Sequence, residues 1–303
     1  MSQIELTYKA REVEESLDVY FYRPFGYVIA KIFHRLRLTP NSITITSMIL
    51  GIIAGHLFLY RNIKVNLLGI IILIISEAFD SADGQLARMT NIRSSFGRIL
   101  DGFAGNMIFM SIYIHLCVRI INSGGPIWIF AIAVVAGISH SFQSAMADYY
   151  RNCYLYFVIS VKKGELQLSE DLIRKYKSLS WRGNFIEKFF MRFYVNYTIE
   201  QEFLSRNFLK LYFKSKQVFG EVIPHFFKEQ YKSMNKPMIK YYNILTTNTR
   251  MIFLFIVILL DVPVFYFAFE LIVLNLLLVA VIYRQENINK FLFSLINHIG
   301  SKN

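Results

Sequence analysis

The chain has 303 residues, of which 54% are hydrophobic and 16% aromatic, and its mean hydropathy is +0.39. These values lie above ordinary soluble usage and predict an integral membrane protein. The formal net charge is +12, but Lys and Arg in a membrane protein chiefly set orientation and meet anionic lipid. No basic patch alternates with base-stacking aromatic residues, so we expect no nucleic-acid partner. Cys117 and Cys153 provide neither a disulfide framework nor a zinc-binding spacing.

Residues 1–39 are predicted to form a cytoplasmic N-terminal region. Aromatic and aliphatic residues between Leu17 and Leu38 are interspersed with Arg and Lys, which is typical of an amphipathic helix lying at the membrane surface. The alternative is an ordinary helix packed on the rest of the domain. Pro40 suits the start of the first membrane span, with Asn41 or Ser42 as its N-cap.

The apolar runs predict an all-α fold, a polytopic membrane bundle of about six helices, since roughly 20 apolar residues cross a bilayer. Residues 40–161 hold the first four spans and residues 248–283 the last two, which Asp261 and Pro263 divide into a tight hairpin. The predicted spans are 40–60, 66–87, 97–121, 125–147, 248–262 and 263–283.

Residues 162–247 are predicted to be a basic cytoplasmic helical insert, because they are rich in Lys, Arg, Phe and Tyr and lack a run long enough to span. Gly183 and Pro224 are the expected breaks between its helices. The insert could gate a substrate or bind a partner, or simply pack on the surface. Residues 284–303 are expected to be a cytoplasmic tail with a short interfacial helix.

The distribution of Lys and Arg predicts that both termini lie on the cytoplasmic side. Basic residues precede Pro40, follow the last span and flank the second turn, as Arg93 does, and they recur from Lys162 onward. Three basic residues run against this pattern, and they are Arg61, Lys64 and Arg119.

Carboxylates gather at the end of the second predicted span. Asp80 and Asp83 stand three residues apart, and Asp101 lies in the first turns of the next span, after a short link. Helical spacing puts Asp80 and Asp83 on one face together with Gly84 and Ala87, and a short link favours a hairpin that brings Asp101 close. Oxygen ligands suit a hard divalent cation, whereas the simpler alternative is a solvated polar helix end. The small residues leave room for a ligand, and Arg88 can meet a phosphate bidentately.

The pattern D-x2-D-G-x2-A-R-x8-G-x3-D resembles that of the CDP-alcohol phosphotransferase family, integral membrane enzymes of phospholipid synthesis. The matching positions are Asp80, Asp83, Gly84, Ala87, Arg88, Gly97 and Asp101, and they cover about 22 residues. The resemblance also extends to the TPN-x2-T phrase, which implies that Asn41 and Thr44 face the cytidine nucleotide, although capping alone explains Asn41 equally well.

The resemblance implies a metal-assisted displacement on the cytoplasmic side. Asp80, Asp83 and Asp101 would hold Mg²⁺ or Mn²⁺ against the pyrophosphate of a CDP-alcohol donor, while Arg88 steadies a phosphate or the carboxylates. An alcohol acceptor then attacks the phosphorus distal to cytidine, and CMP leaves. The implied partners are the donor, the acceptor and membrane lipids, with a homodimer left open.

One position departs from the family pattern. Gly105 stands where the family has a last aspartate, usually assigned as the general base. On the fourth span, polar residues that include His140, Gln143 and Asp148 share a stripe. His140 or Asp148 is a candidate to replace the missing carboxylate if that stripe faces Asp80, whereas interhelical hydrogen bonds explain the stripe equally well. The alternatives to an enzyme are a relative that binds nucleotide or lipid without turnover, and a small membrane transporter.

Overall fold

The computed structural model describes residues 12–92, 95–159 and 166–300, and these form helices connected by short turns, with no strand among them. A π-helical turn, Asp18–Tyr22, precedes the first α-helix, and two further π-helical segments, Leu155–Ile159 and Phe269–Leu274, follow α5 and α12. The α-helices are α1 (Arg23–Arg35), α2 (Pro40–Leu57), α3 (Ile63–Thr90), α4 (Ser95–Asn122), α5 (Ile129–Tyr154), α6 (Ser169–Ser178), α7 (Phe185–Leu204), α8 (Arg206–Phe219), α9 (His225–Asn235), α10 (Ile239–Ile244), α11 (Thr247–Leu259), α12 (Val264–Ala268) and α13 (Asn275–Gly300).

Within the described residues, six helical stretches are long and apolar enough to cross a membrane, which confirms the predicted all-α polytopic bundle. The stretches are Pro40–Leu57, Ile63–Thr90, Phe96–Asn122, Ile129–Ile159, His225–Leu259 and Val264–His298. The last two are longer than the sequence predicted. The fifth takes in the end of the predicted insert, and α13 continues to Gly300, where we expected a separate short helix, because no proline interrupts it.

The chain divides into two compact units. The first comprises Met1–Ser139 and Arg250–Leu271, and the second His140–Thr249 and Ile272–Asn303. The core of the first unit is apolar and aromatic and includes Phe58, Ile112 and Leu254, all fully buried. A side chain at Gly55 would come within 3.0 Å of the backbone nitrogen of Ile112. The glycine therefore allows α2 and α4 to pack closely.

Apolar side chains also cover much of the outer surface of the first unit. Ile49 is 51% exposed, Ile71 55% and Val134 63%, and each lies on a candidate span. Large apolar side chains exposed along helices of this length can face lipid without cost, whereas water disfavours large apolar patches. Composition, helix length and surface therefore agree on an integral membrane protein.

The N-terminal helix α1 has features of both predicted alternatives, a helix at the membrane surface and a helix packed on the rest of the domain. Ala30 is fully buried and packs in a cluster with Ala82 and Leu86 of α3, and Gln85 Nε2 donates to the Arg23 carbonyl at 3.0 Å. The outer face of α1 is apolar, since Phe25 and Val28 are each more than half exposed. The helix is thus packed on α3 and still presents the apolar surface expected of an interfacial helix.

The N-cap of α2 is Thr39, so the prediction of Asn41 or Ser42 was wrong. The Thr39 side chain accepts a hydrogen bond from the Ser42 backbone nitrogen at 3.4 Å, while its own backbone is extended. Pro40 therefore occupies the first helical position, where its missing N–H costs nothing.

Two of the basic residues that ran against the charge pattern are paired with one carboxylate. Arg119, 1% exposed, donates from Nη2 to Asp261 Oδ1 at 2.7 Å, and Arg61 donates from Nε to Asp261 Oδ2 at 2.7 Å. Asp261 adopts a left-handed backbone (φ 57°) in the turn between α11 and α12, as expected for the predicted hairpin. These arginines are explained by pairing, so they do not argue against the predicted orientation.

A second charged pair lies in the interior of the first unit. Arg250 Nε is 3.1 Å from Glu270 Oε1, and both side chains are 0% exposed. Sequence analysis did not single out either residue. A charge inside a membrane bundle is costly unless it is paired, so each residue depends on the other.

The second unit has an aromatic core and a buried polar network. The rings of Phe157 and Tyr231 lie 4.6 Å apart between centroids, and Gln285 Nε2 donates to Asn235 Oδ1 at 2.7 Å. The helices α6 and α7 are separated at Gly183, and α9 starts directly after Pro224, as predicted. Arg93 and Lys162, used in the orientation argument, fall outside the described residues.

Candidate metal and nucleotide site

The three motif aspartates lie together. One carboxylate oxygen each from Asp80, Asp83 and Asp101 falls within 4.8 Å of the others. Asp80 and Asp83 sit one helical turn apart on α3, and Asp101 comes from α4, as the short link between these helices led us to expect. The result is a cluster of oxygen ligands from two helices.

Such a cluster is electrostatically unfavourable without a cation. Two unit charges 4.8 Å apart repel by about 3–4 kcal/mol at an effective dielectric constant of about 20. Asp83 is only 7% exposed, so water relieves little of this repulsion. A hard divalent cation bound by carboxylate oxygens would remove it, and the donor set therefore fits Mg²⁺ or Mn²⁺.

Thr44 is hydrogen-bonded to Asp83, one of the three clustered aspartates. Its hydroxyl donates to Asp83 Oδ2 at 2.5 Å, and Thr44 is 3% exposed. The α2–α3 contact is reinforced one turn further along, where Ser47 Oγ donates to the Ser76 carbonyl at 2.9 Å and Ser76 Oγ donates to the Ser47 carbonyl at 2.8 Å. The first span thus positions a metal-ligand candidate, a role that sequence analysis did not assign to Thr44.

Arg88 occupies the space above Gly84. A Cβ built on Gly84 would lie 3.3 Å from both terminal nitrogens of the Arg88 guanidinium. The glycine therefore makes room for Arg88, one turn further along the same helix. A larger side chain at this position would displace the guanidinium.

Gly105 faces open space. Among the described residues, and apart from its own neighbours on α4, no heavy atom lies within 4 Å of a Cβ built on it. Gly105 sits one turn after Asp101 on α4. A carboxylate introduced here would meet no steric obstacle and would lie on the same face as Asp101. Within the part of the chain that the structure describes, the space beside Gly105 is therefore open.

The remaining motif positions lie on the same three helices. Asn41 is in the first turn of α2, one turn before Thr44, while Ala87 follows Asp83 by one turn on α3. Gly97 lies in the first turn of α4, four residues before Asp101. All three are half-buried.

His140 and Asp148 belong to the second unit, on α5. Asp148 Oδ2 accepts a hydrogen bond from Asn152 Nδ2 at 3.0 Å. Between them, Gln143 is fully buried and its Nε2 donates to Asn275 Oδ1 of α13 at 2.8 Å. Gln143, one residue of the predicted polar stripe, thus forms a hydrogen bond between α5 and α13.

A fourth carboxylate, not predicted from the sequence, lies near the cluster. Glu77 precedes Asp80 by one turn of α3, and the two charges interact. Tyr22 is buried against the same region. Burial raises the pKa of the Tyr22 hydroxyl, and the negative charges of Glu77 and Asp18 raise the pKa further. The i, i+3 spacing from Asp80 was the signal that could have identified Glu77.

The described part of the chain is therefore a helical integral membrane protein with a three-carboxylate cluster on adjacent helices. Residues 37–165 match the sequence model of the CDP-alcohol phosphatidyltransferase family. This match, over less than half of the chain, confirms the resemblance inferred from the motif.

An archaetidylinositol phosphate synthase from Pyrococcus horikoshii is 37% identical to this chain over 73 residues. The aligned stretch covers 24% of this chain and 37% of the relative, so the chain spans little more than a third of that protein. No solved structure matches the chain significantly.

Proposed function

We propose that this protein transfers a substituted phosphate group from a CDP-alcohol donor to an alcohol acceptor, with release of CMP, in phospholipid synthesis. The observation that carries the proposal is the juxtaposition of Asp80, Asp83 and Asp101 on α3 and α4. The family match over residues 37–165 includes all three aspartates and supports the same reaction class.

Asp80, Asp83 and Asp101 would hold Mg²⁺ or Mn²⁺. When bound, the cation neutralises charge that develops on the pyrophosphate and on the leaving CMP. The three side chains come from two helices that pack against α2, so their geometry is fixed before substrate binds. The protein's own contribution is thus to keep three anionic ligands close together in spite of their repulsion.

Thr44 and Arg88 have supporting roles in this proposal. The Thr44 hydroxyl directs one oxygen of Asp83 and leaves the other for the cation. Arg88, lying over Gly84, would pair with a phosphate oxygen of the donor. Asn41, Ala87 and Gly97 would complete the surface against which the cytidine nucleotide lies.

The proton of the attacking alcohol needs an acceptor, and Gly105 cannot supply one. We propose that another group or a water molecule takes it, with Glu77, His140 and Asp148 as the side chains to test. A general base commonly contributes about 10²- to 10⁴-fold in rate. Its loss would slow the transfer without removing the nucleotide site.

The relative named above is an archaetidylinositol phosphate synthase, which makes a CDP-linked lipid with inositol phosphate the first donor and acceptor pair to test. CDP-diacylglycerol with glycerol phosphate or inositol comes next, followed by CDP-choline or CDP-ethanolamine with a lipid alcohol. We place the site on the cytoplasmic side, since the positive-inside pattern favours it.

The second candidate function is nucleotide or lipid binding without turnover, and Gly105 is the observation that favours it. A transporter is less well supported, because its charged groups should lie near the middle of the bilayer. Asp80 and Asp83 instead lie in the second half of α3, toward Thr90, and Asp101 lies near the start of α4.

The test is CMP release by purified protein in detergent or vesicles with Mg²⁺ or Mn²⁺ and a panel of CDP-alcohols and acceptors. We expect Asp80→Asn and Asp101→Asn each to lower the rate at least about 100-fold, whereas Asp171→Asn, an exposed carboxylate on α6, leaves it unchanged. Unchanged rates in both site variants would refute the proposal. Tight CDP-alcohol binding without CMP release would favour the binding function.

A further inference from the structure

Two histidines outside the carboxylate site contact each other across α2 and α4. His56 Nδ1 lies 3.1 Å from His115 Nε2, and the two rings are nearly perpendicular, at 85° with 4.9 Å between centroids. His56 is exposed and His115 half-buried. The residues are 59 positions apart in sequence, so only the packing of α2 on α4 brings them together.

The hydrogen bonds around this pair define its tautomers. His115 Nδ1 is 2.7 Å from the Ser111 carbonyl oxygen, which can only accept, so this nitrogen carries the proton. In a neutral ring His115 Nε2 then has a free lone pair and accepts from His56 Nδ1. The chain ends at His56 Nε2, which is 3.5 Å from the Tyr60 hydroxyl.

The hydrogen bond from His115 to a backbone carbonyl is of the kind that metal-binding histidines make. Ligating histidines commonly donate their other ring nitrogen to a backbone carbonyl, which fixes the ring and raises its basicity. His115 has that carbonyl partner already. His56 needs only to move its proton from Nδ1 to Nε2, where the Tyr60 oxygen can accept it, and no proton leaves the pair.

The distance between the nitrogens also suits a shared ion. Two zinc–nitrogen bonds of about 2.0–2.1 Å that span 3.1 Å open at an angle of about 100°, close to a tetrahedral angle. Water can fill the remaining positions because His56 is exposed. Imidazole ligands favour zinc, copper or nickel over magnesium.

The pair is separate from the carboxylate site. His56 follows Thr44 by 12 residues on α2, which is about 18 Å along the helix, and His115 follows Asp101 by 14 residues on α4, about 21 Å. His56 lies in the last turn of its span, next to the turn that holds Arg61. The pair is therefore toward the opposite end of these helices.

We propose that His56 and His115 form a second metal site, selective for borderline transition-metal ions such as Zn²⁺ and Cu²⁺, that clamps α2 to α4 near the membrane boundary away from the aspartates. The proposal does not rest on the phosphotransferase activity.

Cu²⁺ is the probe, because its electron paramagnetic resonance spectrum distinguishes nitrogen from oxygen ligands. The full-length chain, without a polyhistidine tag, is titrated with Cu²⁺ in excess Mg²⁺, which competes for the carboxylates. We expect one equivalent of copper with coupling to two nitrogens. His56→Ala and His115→Ala should each lose that signal and weaken binding at least about tenfold, since a single imidazole remains.

His34→Ala is the matched control, an exposed histidine on α1 that should leave the spectrum unchanged. If an alanine variant fails to give a monodisperse protein, His56→Gln and His115→Gln keep a polar side chain and are used in its place. Nitrogen coupling that persists in the His56 and His115 variants, or wild-type copper with oxygen ligands alone, would overturn the proposal.

Discussion

Thr44 Oγ1 donates a hydrogen bond of 2.5 Å to Asp83 Oδ2, joining two residues 39 positions apart. Both side chains are nearly inaccessible, at 3% and 7% exposure. Since a carboxylate oxygen held by a hydroxyl cannot turn freely, the first span fixes the orientation of a metal-ligand candidate on the second. The site is thus built from three helices, although its acidic motif lies on two.

Thr44→Val should lower CMP release by about 10- to 100-fold, because a hydrogen bond to a charged acceptor is worth about 1.5–3 kcal/mol. The shape of the side chain is nearly preserved, so folding should be little affected. Thr46→Val is the control, since its hydroxyl donates within α2, to the Ser42 carbonyl at 2.9 Å. Equal rates for the two variants would mean that Thr44 does not position Asp83.

Gly105→Asp should raise CMP release, by about 10- to 100-fold if the new carboxylate acts as general base. The thermal unfolding midpoint should not fall, because the described part of the chain places no atom beyond the adjacent turns of α4 within 4 Å of the new Cβ. Gly102→Asp introduces the same charge one position after Asp101, also into open space but on another face of α4. An increase in both variants would indicate a general effect of charge, and no increase in either would show that position 105 does not limit the rate.

Asp261→Asn should lower the free energy of unfolding by about 1–3 kcal/mol, since it leaves the buried Arg119 guanidinium without its charged partner. Thermal unfolding in detergent measures the change. Glu229→Gln, an exposed residue of α9 whose side chain is 61% accessible, is the control. An unchanged midpoint for Asp261→Asn would mean that the ion pairs contribute nothing to stability.

The Asp261 carboxylate also predicts how the stability of the protein depends on pH. Partial burial raises the pKa of Asp261, but hydrogen bonds and charges from Arg119 and Arg61 outweigh burial and hold the pKa below its ordinary value of 3.8. The stabilisation is therefore complete above that ordinary value and is lost as the pH falls through the lowered pKa. Unfolding midpoints measured from neutral pH downward should show the wild-type advantage over Asp261→Asn disappear only in strong acid. An advantage that vanished near neutral pH would contradict this assignment.

Glu270→Gln should destabilise the protein by about 3–5 kcal/mol, because it removes the negative charge that faces the buried Arg250 guanidinium in the interior of the first unit. Replacing both partners, as in Arg250→Met with Glu270→Met, should cost less than the single change, since no buried charge remains. Unfolding midpoints of Arg250→Met, Glu270→Met and the double variant, compared with wild type, form a cycle that measures the coupling. Additive effects would show that the two charges do not depend on each other.

The sequence by itself determined the class of protein, the number of spans and the position of the acidic motif. These features follow from local rules: apolar length sets a span, helical repeat puts Asp80 one turn from Asp83, and a short turn brings Asp101 back beside them. The hairpin at Asp261 was predictable for the same reason.

Only the tertiary structure decided which distant residues meet. The bond from Thr44 to Asp83, the pairing of Arg119 with Asp261 across 142 positions, and the contact of His56 with His115 all depend on how helices pack side by side. Helical spacing specifies the face on which a residue lies, but the rotation and depth of each helix against its neighbours come from the packing of whole surfaces. The sequence pattern along one helix does not contain that information.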